Sequence, residues 1–326
     1  MTELYFLDET FRITDGPFAD MTSVVFSERY FDTGTFTIHF PREMAGRASG
    51  AVYVRSGVNP SGQIFCGRIE YLHADSDGDC EMGGHLLECL MDDRILTGGP
   101  WSGTASDAIL SAVRVNLRDS PVKIGESHAS LPDQVTLTAD WESLSVWMHR
   151  ILRPYGASFR VIPGTDGTPE LSIVRGRTLD NVIFSASFGN IFSIESKRNT
   201  ASMKNAVYVE GSDGIVVFAD LSGGQNLREM HKKASDLSPG KFADEEAYRQ
   251  ALLRRGYEIL AGCGEKFQVS AEIDSGALPV YGRDYRLGDV CPVVDEELGV
   301  SLPLRLTQVD WVSETGITSV YPVFGE

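Results

Sequence analysis

Short hydrophobic segments separated by turn residues fill the first hundred positions, and no long helical pattern interrupts them. At residues 35–40, apolar and polar side chains alternate, as in a strand with one buried face. Asp15-Gly16-Pro17 is a typical turn between two such segments. The other predicted strands here are residues 5–7, 11–13, 23–26, 51–54, 64–72 and 85–91. This succession predicts an antiparallel barrel or sandwich.

Residues 100–197 carry helical as well as strand patterns. Thr104 and Asp107 resemble a capping box, and apolar residues then recur at helical spacing up to Leu117. A second helix is predicted from Asp140, as its cap, to Pro154 and Gly156, which end it. Its predicted apolar face comprises Trp141, Leu144, Trp147, Met148, Ile151 and Leu152. Residues 158–162 and 170–174 are predicted to pair as a hairpin.

The remaining sequence returns to strands around one helix. Residues 206–209 and 215–219 are predicted strands joined by a turn, and residues 222–242 are predicted to be a loop with at most a short helix. A helix is predicted over residues 244–260, because its acidic start and later basic residues suit the helix dipole. The last predicted strands are residues 267–273, 289–294, 302–311 and 318–323.

Composition limits the classes of partner. A chain of 326 residues predicts two to four domains, and no segment is apolar enough to span a membrane. The N-terminus lacks the features of a signal peptide, so we expect synthesis in a bacterial cytoplasm. The net charge of −17 disfavours binding to nucleic acid or to anionic membranes. Two interpretations of this charge stay open: general solubility, or a channel through which DNA passes without binding.

Potential metal ligands are present, but their spacing fits no common site. His73, Cys80, His85 and Cys89 lie close in sequence at intervals of 7, 5 and 4 residues. The acidic loop at residues 75–79 resembles a calcium loop but has Leu86 where the bidentate glutamate is needed. The five cysteines are an odd, scattered set typical of buried thiols. No metal site is predicted.

No catalytic or cofactor-binding residues are predicted either. The nucleophile-elbow and P-loop motifs are absent, and residues 211–214 have the composition of a hairpin turn. Ser145 and His149 are four residues apart on a helix, but Trp147 and Met148 beside them indicate packing, with the histidine at the surface. The basic pairs Lys232-Lys233 and Arg254-Arg255 are interpreted as solvated or intersubunit surface.

Several runs, taken in order along the chain, resemble the tail-hub proteins of long-tailed phages. That group includes the baseplate hub of contractile phages and the N-terminal region of the siphophage tail-associated protein. The first similar run is Arg29-Tyr30, three residues, then Gly34-Thr35-Phe36. The other similar runs are residues 69–72, 87–94, 189–191, 204–209 and 255–260, and Tyr285-Arg286-Leu287-Gly288-Asp289-Val290.

The resemblance implies an α+β, mainly β protein with two tube-type antiparallel β-barrel domains and smaller mixed α/β domains. Three copies would form a ring with pseudo-sixfold symmetry. On this chain it implies a first barrel at 1–99, a mixed domain at 100–197, a second barrel at 198–222 and 264–326, and a helical insert at 223–263. The sequence stops just after its last predicted strand, so no C-terminal hydrolase is expected.

The function implied is structural. The chain would be a virion protein of a phage or prophage tail tip, forming the hub ring that connects the tail tube to distal tip proteins. Its expected partners are two further copies, the tail tube, distal tail proteins and the tape-measure protein, with DNA passing unbound and no membrane. A receptor- or glycan-binding tip protein is the alternative, and a cell-wall hydrolase is a third hypothesis.

Overall fold

The computed structural model describes residues 3–325, apart from 60–61, 76–77, 140, 265, 274–277, 297–298 and 315–316. In chain order, the strands are β1 (Leu4–Leu7), β2 (Ile13–Phe18), β3 (Ser23–Arg29), β4 (Thr35–Pro41), β5 (Tyr53–Ser56), β6 (Cys66–Ala74), β7 (Asp79–Leu86), β8 (Trp101–Thr104), β9 (Lys123–Ile124), β10 (Gln134–Leu137), β11 (Ala157–Pro163), β12 (Pro169–Arg175), β13 (Phe184–Ser185), β14 (Ile191–Asn199), β15 (Ala206–Gly211), β16 (Val216–Asp220), β17 (Glu229–Ala234), β18 (Lys266–Ile273), β19 (Val290–Asp295), β20 (Val300–Glu314) and β21 (Ile317–Gly325).

The helices are α1 (Ala45–Ala48), α2 (Ala105–Asn116), α3 (Leu144–Leu152) and α4 (Glu245–Ala261). Short 3-10 helices occupy Arg42–Met44, Leu87–Met91, Arg153–Tyr155, Ala186–Phe188 and Pro239–Lys241. With 43% of residues in strands and 20% in helices, the predicted mainly β class is confirmed.

One large sheet contains strands from both ends of the chain. Its order is β14-β18-β21-β20-β3-β4-β7-β6-β5-β1-β2, with β19 and β13 branching from β20. Strands β1–β7 form what we call the N-terminal half-sheet; β13, β14 and β18–β21 form the C-terminal half-sheet. The 15-residue β20 joins the two, because it pairs with β19, β21 and β3. A single core, including Phe26, Phe184 and Phe324, packs against both halves.

This arrangement differs from the two separate barrels expected from the sequence. Pairing of β20 with β3 merges the two strand sets, and within the described residues the sheet stays open between β14 and β2. Barrel closure is therefore not seen in the described part of the chain. The alternation of apolar and polar residues along a strand shows which face is buried. It does not show which strand, distant in sequence, will pair with it.

The middle unit, residues 101–175, packs α2 and α3 on two small sheets. Thr104 caps α2 as predicted, since its hydroxyl oxygen accepts from the Asp107 amide at 3.2 Å. The predicted hairpin is confirmed as β11 paired with β12. The start of α3 was predicted wrongly: its cap is Ser143, and the proposed cap Asp140 lies outside the described residues. Trp141 precedes the helix and is 78% exposed.

The insert unit comprises β15–β17 and α4. Its sheet corrects two predictions. Residues 206–220, assigned to the second barrel domain, pair with β17, and β17 lies where a loop or short helix was predicted. Val207, Val209 and Ala219 pack on α4, where a Cβ at Gly256 would lie 2.6 Å from that of Ala219. The predicted α4 is confirmed, with Asp244 as its cap.

One more predicted strand was wrong at its end. Residues 85–91 were predicted as a single strand, but β7 ends at Leu86 and Leu87–Met91 form a 3-10 helix. All five helical residues are buried. A short apolar run that is buried on every side has no periodicity that separates strand from helix, which explains the error.

Candidate functional site

Tyr30 lies where the two half-sheets and the middle unit meet. Its backbone amide donates to the Thr307 carbonyl at 2.8 Å, which links the two half-sheets. Its hydroxyl donates to the Gly156 carbonyl at 3.1 Å and accepts from the Gly176 amide at 3.0 Å. The side chain is 1% exposed, so each of these groups would lose a buried partner if the hydroxyl were removed. Tyr30 therefore ties three parts of the chain together.

Two glycines allow the backbone to approach Tyr30 closely. Gly288 has φ +91°, and a Cβ there would lie 2.2 Å from the Tyr30 ring. A Cβ on Gly176 would lie 1.7 Å from the Gly288 carbonyl oxygen. Any side chain at either position would force the segments apart. In the Leu287-Gly288-Asp289 motif, the glycine is therefore needed so that the backbone can pack directly on the Tyr30 ring.

Asp289 completes the same contact with a buried carboxylate. It accepts from the Arg177 amide at 2.7 Å, from the Arg177 guanidinium at 2.6 Å and from the Arg286 amide at 3.0 Å. Its hydrogen bond to Arg177 raises the pKa of that guanidinium. Because Asp289 is 2% exposed, these donors replace the water that a buried carboxylate would otherwise need. The turn at 286–289 is thereby held against the end of β12.

A buried ion-pair cluster lies beside Tyr30. Arg160 of β11 pairs with Glu28 of β3 at 2.6 Å and with Glu88 of the Leu87–Met91 helix at 2.9 Å. Tyr281 and Trp311 donate to Glu28 at 3.2 and 3.3 Å. Burial raises the pKa of Glu88, although Arg160 opposes the shift. The cluster joins the middle unit to both half-sheets, and we call it, together with the Tyr30 and Asp289 contacts, the junction.

A second charged network connects the insert unit to the middle unit. Arg150 of α3 pairs with Glu258 of α4 at 2.8 Å, and Arg255 pairs with Asp236 at 2.7 Å. Thr138 donates to Asp236 at 2.8 Å. Burial raises the pKa of Glu258. Burial alone would also raise the pKa of Asp236, but the charge and hydrogen bond of Arg255, together with Thr138 and Arg150, outweigh it and the pKa is lowered. The predicted basic surface pair Arg254-Arg255 is thus half wrong, since Arg255 is buried.

The four potential zinc ligands do not converge. Cys80 lies in the core of the large sheet and Cys89 in that of the middle unit. His85 bonds to Glu70 at 2.6 Å, and His73 is exposed. In the acidic loop, Ser76 and Asp77 lie outside the described residues. Within the part of the chain that the structure describes, no group of three His, Cys, Asp or Glu side chains could hold a metal ion.

The remaining candidate residues also have structural surroundings. Residues 211–214, predicted as a hairpin turn, lie where β15 ends at Gly211 and the chain turns towards β16. Ser145 is buried. His149 was predicted at the surface but is half-buried: its two ring nitrogens are buried, and its ring lies tilted with its centroid 4.6 Å from that of Phe159. Burial lowers the pKa of His149 to about 4. Trp147 and Met148 are buried, as the sequence predicted. His149 packs into the protein as they do, and that part of the prediction was wrong. No described helix has the length and apolarity needed to cross a membrane.

The sequence profile of the family described as "Siphovirus ReqiPepy6 Gp37-like protein" matches residues 3–326. No curated protein matches the chain. Among solved structures, the tail protein of Neisseria meningitidis MC58 is 14% identical with a TM-score of 0.64, covering 100% of this chain and 96% of its own. The 43 kDa tail protein of prophage MuSo2 from Shewanella oneidensis is 11% identical with a TM-score of 0.59, covering 99% and 97%. Prophage tail protein gp18 of Listeria monocytogenes EGD-e is 13% identical with a TM-score of 0.55, covering 99% and 94%.

Proposed function

Because the chain belongs to the siphovirus ReqiPepy6 Gp37-like protein family, we propose that it is a structural component of a bacteriophage or prophage tail tip. Three copies form the hub ring that connects the tail tube to distal tip proteins and leaves a channel for DNA. The tape-measure protein and the distal tail proteins are its neighbours. The proposed role is structural, not enzymatic.

The observation that carries this proposal is the continuous sheet joined at the junction. Strand β20 links the two half-sheets, and the Tyr30 and Arg160 contacts fasten the middle unit to both. Buried hydrogen bonds and ion pairs between segments that are distant in sequence suit a protein that connects other parts of a tail. The fold likeness to three tail proteins over nearly their full lengths supports the same role.

The domain division follows the half-sheets. We place two tube-type domains on the N-terminal and C-terminal half-sheets, with the middle unit and the insert unit outside them. The split differs from the sequence-based boundaries, since residues 206–220 go with the insert unit. Acidic residues on a channel wall would repel phosphate and let DNA slide, in keeping with a net charge of −17.

The direct test is a cryo-electron microscopy map of tails that contain this chain. We expect three copies around the tail axis, between the tube and the distal tip. Light scattering on the purified chain should give a mass three times 35.7 kDa where the ring forms without its neighbours. A map that places the chain off the axis would exclude the hub role.

A receptor- or glycan-binding role is the second candidate, and two aromatic features favour it. Trp141 is 78% exposed, and Tyr208 and Phe218 lie with ring centroids 4.6 Å apart on the face of the insert sheet away from α4. Aromatic faces of this kind stack on sugars. Sedimentation of the purified protein with host cell walls separates the candidates, since a hub protein should stay in the supernatant. A zymogram that shows clearing would instead indicate a hydrolase.

A further inference from the structure

A cleft of about 570 Å³ opens beside the junction, between the two half-sheets and the middle unit. Its apolar wall includes Ile162, Val174 and Leu287, and Ile162 is 50% exposed. Its volume lies within the range of about 300–1,000 Å³ in which proteins bury ligands and side chains of partners. The cleft can therefore receive a segment of another molecule.

The charge of this cleft opposes that of the whole protein. Four arginines and two carboxylates line it, whereas the chain carries 46 acidic and 29 basic residues. Both carboxylates are occupied: Glu28 pairs with Arg160, and Asp289 pairs with Arg177. The other two lining arginines, Arg175 and Arg286, are exposed and form no ion pair with a carboxylate in the described ranges.

A further arginine adds to this excess. Arg305 stacks over the Tyr30 ring at 5.5 Å and donates to the Gly288 carbonyl, so its charge lies next to the cleft. Burial lowers the pKa of Arg305; the positive charge of Arg175 adds to this shift, whereas Tyr30 and Asp289 oppose it. Arg175 and Arg305 therefore repel each other, and a further carboxylate beside Arg175 would reduce that repulsion.

We propose that this cleft receives an acidic surface segment of a second copy of this chain. The proposal rests on the hub ring proposed above and names the surface through which its copies meet. Charge complementarity selects the occupant, because a chain of net charge −17 presents mainly negative surface to its neighbours. Nucleic acid fits less well, since two arginines without a carboxylate partner beside an apolar wall do not make the extended basic surface that phosphates need.

The same charge distribution favours a ring over a two-fold dimer. A two-fold contact at the cleft would bring Arg175 and Arg286 of both copies together. A head-to-tail contact instead places the cleft of one copy on acidic surface of the next, and such contacts close into rings when the rotation allows. The cleft therefore specifies the direction in which copies add.

Sedimentation velocity of the full chain, over a concentration series at low salt and at about 0.5 M salt, tests this surface. Arg175→Glu and Arg286→Glu should each weaken self-association about tenfold, and salt should weaken the wild type in the same direction. Arg249→Glu on α4 is the matched control, because it makes the same change in net charge at an exposed pair with Glu245. Thermal melting should confirm that all three variants fold, since the reversed side chains are exposed.

Association that survives both cleft reversals, or that the control weakens equally, would overturn the cleft as the contact while leaving the hub ring intact. For a chain that associates only in the assembled tail, p-benzoylphenylalanine at position Ile162 gives the readout, with position Val115 on α2 as control. Photocrosslinking to a second copy supports the proposal. Crosslinking to another tail protein or to DNA refutes the proposed occupant, and a single copy per tail refutes both the ring and the cleft contact.

Discussion

His149 shows at the scale of one residue how burial changes the chemistry of a side chain. Neither ring nitrogen has a hydrogen-bond partner among the described residues, and the ring packs on Phe159. Burial lowers its pKa from 6.5 to about 4; the charge of Arg153 adds to this and that of Asp32 opposes it. The folded protein therefore resists protonation of a group that the unfolded chain protonates readily.

A pH dependence of stability follows from this difference. Above pH 6.5 the imidazole is neutral in both states and has no effect. As the pH falls from 6.5 to 4, only the unfolded state gains the proton, so the free energy of unfolding should drop by about 3 kcal/mol from this residue. Urea unfolding at a series of pH values should show that H149L lacks this part of the loss.

Two controls make the result specific to the imidazole. Above pH 7.5 the wild type and H149L should have parallel stability curves. F159L removes the ring that packs on His149 but keeps the imidazole, so it should lower stability at every pH while retaining the slope. Equal slopes in the wild type and H149L between pH 4 and 6.5 would show that the ring is accessible to protons in the folded state.

At the scale of elements, the cap of α4 offers a local test. The Asp244 carboxylate accepts from the Ala247 amide at 2.8 Å and lies at the positive end of the helix dipole. D244A should destabilise α4 by about 1 kcal/mol, which corresponds to roughly fivefold faster amide exchange in that helix. Hydrogen–deuterium exchange measures this helix by helix.

The neighbouring residue provides the comparison. Glu245 is exposed and forms an i,i+4 pair with Arg249 at 2.9 Å, which contributes only a few tenths of a kcal/mol. E245A should therefore accelerate exchange in α4 much less than D244A, and α2 should exchange equally in both variants. Unchanged exchange in D244A would mean that packing of α4 on the insert sheet, not its cap, limits opening.

The elements that could be predicted are those whose signals are local. Thr104 and Asp107 precede an apolar repeat, and α4 has an acidic start with basic residues further on. The β11–β12 hairpin has turn residues between two short strands. Strand β17 was missed because its sequence, EMHKKA, is polar, and it forms by parallel pairing with β15. Backbone hydrogen bonds to β15 hold β17 as a strand, although its composition does not favour one.

At the scale of the whole molecule, the phage-tail resemblance rested on short motifs in a fixed order, and the family match confirms it. The structure gives those motifs a role, since Tyr30 and Gly288 come into contact although they are far apart in sequence. The cluster around Arg160 could not be predicted. Its members come from β3, the Leu87–Met91 helix and β11, and nothing in the local sequence marks a glutamate in these elements as buried.

This cluster gives the last prediction, which concerns the stability of the whole protein. R160L leaves Glu28 and Glu88 buried without their cation, so unfolding by urea at pH 8 should be easier by about 3–5 kcal/mol. The pKa of a buried, unpaired carboxyl rises, and protonation then removes its charge; the deficit of R160L should therefore shrink as the pH falls from 8 to 5. Adding E28Q and E88Q should recover part of the loss at pH 8. R249L, which breaks an exposed pair, should cost under about 0.5 kcal/mol at either pH. A deficit in R160L that is the same at pH 5 and pH 8 would show that lost packing, not buried charge, accounts for it.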